Sequence, residues 1–148
     1  MVKVLPHVMR NINEFNIPAG NTSGYEILYF GVNLILMFDY RLSFDVEVIK
    51  NWNSGGEIEV LIIRRKDVRA WKNDSTNSNQ DINWHYRKKG ERINDIFKPS
   101  VSDAYAFILS NRFFRINDGY DNSKTKTVQV TLIHTWQQEI KESQLKSR

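Results

Sequence analysis

Apolar residues recur at every second position in several short runs, which is the period of an extended strand and not of a helix. Phe44, Val46 and Val48 alternate with Asp45 and Glu47, and Val128, Val130 and Leu132 alternate with Thr127, Gln129 and Thr131. In residues 57–63, Ile58, Val60 and Ile62 oppose Glu57 and Glu59. This spacing turns one set of side chains toward a core and the other toward water. Residues 25–30 and 34–40 are apolar at nearly every position, which predicts strands through the middle of a sheet. Residues 25–38 with 44–49, and 105–114 with 126–132, read as two halves of one sandwich.

Turn formers punctuate the runs. Pro18-Ala19-Gly20 closes a short first strand, Phe15–Ile17, and Asn53-Ser54-Gly55-Gly56 predicts a hairpin or short loop between two alternating runs. Lys98-Pro99 and Asn117-Asp118-Gly119 mark later connections, and residues 73–83 form an almost wholly polar loop. Only residues 135–146, with Glu139, Lys141 and Glu142, look helical. The expected fold is all-β, an antiparallel β-sandwich of the jelly-roll type with a short C-terminal helical tail. Residues 12–136 would form the sandwich, 1–11 an N-terminal extension and 137–148 the tail.

Composition narrows the chemistry. Hydrophobic residues at 41% and charged residues at 26% fit a folded domain and not a disordered one. The absence of cysteine removes disulfides, thiolate nucleophiles and Cys-based zinc sites, and suits a reducing compartment. Residues 1–7 lack the apolar core of a secretory signal, and the longest apolar run, Val32–Phe38, is far too short to span a bilayer. A cytoplasmic location, peripheral to membranes at most, is the expectation.

Catalytic patterns are missing. His7, His85 and His134 lie far apart with no HxH or HxxxH spacing, and no P-loop, G-x-S-x-G or G-x-G-x-x-G occurs. Asp45 and Glu47 share the polar face of one strand, where solvated charge is the ordinary reading. A non-enzymatic chain without metal or cofactor is expected.

Basic residues are more suggestive. Arg64, Arg65 and Lys66 end one strand, with Arg69, Trp71 and Lys72 just beyond. After the polar loop come Trp84, Tyr86, Arg87, Lys88, Lys89 and Arg92. If the flanking segments pair across the loop, both clusters meet at one end of the sandwich. Aromatics interleaved with cations suit a membrane interface, where cations meet lipid phosphate, and would also stack on single-stranded nucleic acid. The same residues also fit a strand edge kept soluble by charge. A net charge of only +4 disfavours nucleic acid relative to a protein partner or an anionic phospholipid surface.

Three segments resemble a known family, the GOLD (Golgi dynamics) domain. They are Phe15–Gly20; the run Tyr25-Glu26-Ile27-Leu28 with Gly31, Leu34 and Phe38, followed by 44–48; and Tyr105–Phe114 with Lys126-Thr127-Val128. The likeness is to the cytosolic form found in CRAL-TRIO lipid-transfer proteins and in an acyl-CoA-binding Golgi protein. It implies a non-catalytic interaction domain for proteins or membranes in vesicle trafficking. The missing disulfide pair points away from the luminal branch. Independently, Asn111 is expected to end its strand through a left-handed backbone or a local hydrogen bond, turning Phe113 inward.

Overall fold

The structure is a computed structural model that describes residues 2–20, 23–73, 82–112 and 125–141. The described residues form eight strands: β1 (Val2–Ile17), β2 (Tyr25–Val32), β3 (Phe38–Val48), β4 (Ile58–Arg64), β5 (Tyr86–Gly90), β6 (Arg92–Phe97), β7 (Asp103–Ser110) and β8 (Lys126–Lys141). A 3₁₀ turn, Arg65–Asp67, leads from β4 into one short helix, α1 (Val68–Asn73).

Two four-stranded antiparallel sheets face each other, in the orders β1-β8-β3-β6 and β2-β7-β4-β5. The ladders β1·β8, β2·β7, β3·β6 and β4·β5 are nested, first strand with last and so inward. An antiparallel ribbon paired in this way and folded over itself is a jelly roll. Every connection except β4 to β5 crosses from one sheet to the other. The chain is therefore an all-β sandwich of jelly-roll type. Its two sequence halves interleave, since β2 pairs with β7 while β3 pairs with β8.

The alternating runs place their apolar sets as the period requires. Leu42, Phe44, Val46 and Val48 of β3 and Val128, Val130 and Leu132 of β8 meet Ile58, Val60 and Ile62 of β4 and Tyr105, Phe107 and Leu109 of β7 in the core. The second sheet is also buried on its outer face. There Leu61, Ile63, Ala106 and Ile108 pack beneath Val68 and Trp71 of α1, with Ile82 beside them. Double burial explains why residues 58–63 and 105–109 are apolar almost without interruption.

Several expectations need correction. β2 is an edge strand, not a central one; its second apolar row, Tyr25 and Ile27, belongs to the outer cluster. Of the two expectations for Asn53-Ser54-Gly55-Gly56, the loop holds and the hairpin does not, because the segment connects β3 and β4, which lie in different sheets. The first strand is 16 residues long instead of three. Residues 135–141 are strand and not helix, because they pair with residues 2–8 of β1 and bury Ile140. That ladder outweighs the helical preference of Gln and Glu, which is a weak bias. The divisions after residues 11 and 136 fall inside β1 and β8. Residues 142–148, the bulk of the polar loop at 74–81, Phe113 and the Asn117-Asp118-Gly119 turn lie outside the described residues.

Candidate functional site

The basic and aromatic residues are distributed along the second sheet and do not form one patch. β4 and β5 do pair, with Ile62 opposite Tyr86 and Glu59 opposite Lys89. Arg64, Arg65, Lys66, Arg69 and Lys72 leave the C-terminal end of β4, whereas Lys88 and Lys89 lie toward its N-terminal end. At about 3.3 Å per residue, Arg64 and the Glu59–Lys89 pair are roughly 17 Å apart. Arg92 lies in the other sheet, where it donates to both carboxylate oxygens of Asp45 at 3.2 and 2.9 Å.

Most of these side chains are engaged within the fold. Arg64 reaches Asp103 at 3.3 Å. The Arg65 guanidinium lies 5.0 Å from the Tyr29 ring centre, and the Lys72 ammonium 5.7 Å from that of Tyr25. Arg87 contacts Glu59, itself buried, at 3.2 Å and covers the Trp84 ring at 4.7 Å. Tyr86 donates to Asp95 at 2.9 Å. Burial raises the Tyr86 hydroxyl pKa, while the Ile96 amide and then Tyr86 hold Asp95 below the usual carboxylate range. Trp71 is 2% exposed and belongs to the core. Rings held in these ways are not free to enter a headgroup layer.

Arg112, which no sequence pattern marked, organises this region. Its guanidinium stacks 4.3 Å from the Trp71 ring centre and donates to the carbonyls of Trp71 and Lys72 at 3.4 and 3.2 Å. These are terminal carbonyls of α1 that lack helical partners.

The sandwich also opens between β1 and β2. A cavity of about 350 Å³ lies there, lined by Met9, Asn11, Leu28, Phe30, Tyr40 and His134 among others. The Tyr40 hydroxyl hydrogen-bonds to Nδ1 of His134. Burial raises the phenol pKa and lowers that of the imidazole, so the phenol donates and the neutral ring accepts. His7 stacks on Trp136 at 5.5 Å, and Phe30 meets His134 edge-on at 5.6 Å. Together these rings form an aromatic network along the cavity wall. Among the described residues no group of three or more His, Asp or Glu side chains is placed to hold a metal, and no helix is long and apolar enough to cross a membrane.

The remaining unusual surface is β1 itself. Its far edge has no strand partner among the described residues, and Val4, Val8, Met9 and Ile12 are exposed, Val8 by 68% and Ile12 by 64%. A soluble sheet ordinarily blunts an edge of this length and apolarity.

No protein-family model matches the sequence, and no curated protein matches it. Among solved structures the chain is similar to the decameric BFDV capsid protein, with a TM-score of 0.50 and 11% identity over 94% of this chain and 100% of that one. Structures of turnip yellow mosaic virus and Desmodium yellow mottle tymovirus also match, at TM-scores of 0.29 and 0.26 and identities of 8% and 9%. They cover 92% and 93% of this chain and 96% and 85% of those chains, and at such TM-scores they carry no argument. None of these is a GOLD domain or a Golgi protein, so that resemblance is corrected. Its segments are short, largely apolar strand runs, such as Tyr25–Leu28, which supply both the core and the outer cluster of a two-sheet sandwich. The trafficking and lipid-binding reading falls with it, and the dispersed basic residues give the nucleic-acid alternative no better support.

Proposed function

We propose that this chain is a non-catalytic structural subunit of the viral-capsid type, which assembles with further copies of itself. The observation that carries this reading is the complete nested jelly-roll pairing, in a chain that is similar over 94% of its length to the decameric BFDV capsid protein. The exposed apolar row on β1 supports it, because such a surface on a folded chain favours association. So does the engagement of Arg64 with Asp103 and of Arg87 with Glu59, which ties basic side chains into the fold itself.

The test is the size distribution of the purified chain by light-scattering chromatography and negative-stain electron microscopy, over a range of concentration and ionic strength. Closed oligomers or particles of uniform size are expected. A chain that never grows beyond a monomer or dimer at the highest soluble concentration would overturn the reading.

A further inference from the structure

β1 pairs with β8 along its whole length without a register shift, so its opposite edge is a regular row of backbone donors and acceptors. Lys3 and Pro6 sit in the N-terminal half of this edge, and both residue types discourage strand addition. Residues 8–16 carry no proline, and their only charges are Arg10 and Glu14. Both are exposed, and neither forms an ion pair within the described residues. The register against β8 puts Val8, Arg10, Ile12 and Glu14 on the outer face and Met9, Asn11, Asn13 and Phe15 on the core-side face.

We infer that β1 is a self-pairing edge, and that two copies of this chain join through antiparallel β1 strands about a two-fold axis at Ile12. An axis perpendicular to the sheet keeps each face on its own side, so residues of like parity must stand opposite one another. Centring the axis on Arg10 or Glu14 sets like charges together, which is unfavourable. Centring it on Val8, Met9 or Asn11 draws Pro6 into the new ladder, and centring it on Asn13 sets Ile12 against the partner's Glu14.

The axis at Ile12 pairs opposite charges and keeps Pro6 outside the new ladder, with Val8 facing the partner's Asn16. Ile12 meets the partner's Ile12, and Arg10 meets the partner's Glu14 twice over by symmetry. On the other face Asn11 meets the partner's Asn13, and Met9 meets the partner's Phe15. The two four-stranded sheets become one of eight strands across the interface. Every second residue of 8–16, whose backbone groups point away from β8, thereby gains hydrogen-bond partners, and the exposed Ile12 side chain is covered. The inference rests on the self-assembly reading only in taking a second copy as the occupant.

Sedimentation equilibrium of the full chain and its variants tests it. Arg10→Glu should raise the dimer dissociation constant roughly tenfold or more, since two attractive cross-strand pairs become repulsive. The swapped double variant, Arg10→Glu with Glu14→Arg, should restore it. In this cysteine-free chain, Ile12→Cys should oxidise to a disulfide-linked dimer, whereas Val4→Cys, eight residues from the axis, should not. An unchanged constant in Arg10→Glu, or a double variant as weak as the single one, overturns the inference. Particles that form normally from Arg10→Glu sink the β1 dimer while sparing the capsid reading. Wild-type dimers that never enlarge, yet obey the charge swap, sustain the dimer and sink the capsid reading.

Discussion

Asn111 shows how a single polar residue can be structural. It is fully buried just past the end of β7, and its amide nitrogen donates to the carbonyls of Ile17 and Pro18 at 3.3 and 3.2 Å. Its backbone amide donates to Gly24 at 2.6 Å. It ties together the end of β1 and the start of β2. A left-handed backbone is not the reason for Asn here, since Asp39 is the one described non-glycine residue with positive φ. Asn111→Ala removes both buried donor contacts and should cost about 1–3 kcal/mol, a loss of roughly 3–10 °C in Tm by calorimetry. An unchanged melt would refute that role.

His134 makes a second prediction at this scale. Its folded pKa is lowered by burial, so the unfolded state binds more protons below about pH 6.5. Its contribution is therefore complete above the unfolded-state pKa and is lost as pH falls through and below that value. His85 is lowered too, by burial and by Arg64, and adds to the same slope. Chemical denaturation between pH 7 and 5 should show falling stability, with a shallower slope in His134→Gln. Equal slopes would remove His134 from the account.

Among the elements, α1 is the one whose existence depends on a distant side chain. Six residues are too few for a helix to stand alone in water. It holds because Val68 and Trp71 cover Leu61, Ile63 and Ile108, and because Arg112 caps its final carbonyls. Arg112→Met keeps the bulk but removes the donors. Amide exchange in residues 68–73 should then quicken by about tenfold, the equivalent of one net hydrogen bond, while β7 and β8 stay protected. Uniform protection would show that packing alone holds the helix. Residues 135–141 carry the complementary lesson. Gln137, Gln138 and Glu139 favour helix locally, yet they form strand because residues 2–8 supply a ladder and Trp136 a stacking partner in His7.

At the scale of the molecule, the jelly roll leaves β1 and β6 as edges of one sheet and β2 and β5 as edges of the other. β5 and β6 are short and charged, which suits water. β1 is long and exposes Val4, Val8, Met9 and Ile12, which suits another chain. If self-association proceeds through β1 dimers, native mass spectrometry of the assemblies expected above should find even numbers of chains. Predominantly odd assemblies would separate that association from the β1 dimer.

The amino-acid sequence determined the strand period, the core-facing residues of β3, β4 and β8, and the absence of cysteine chemistry. These are local properties: a two-residue repeat selects a face wherever the strand ends up. Which strands pair was decided only in three dimensions, because nested pairing joins residues as far apart as Val2 and Lys141. The same non-local contacts moved β2 to an edge, turned the supposed helical tail into strand and spread the basic residues along a sheet. They also left the β1 edge open, with Arg10 and Glu14 spaced for a partner that the chain itself can supply.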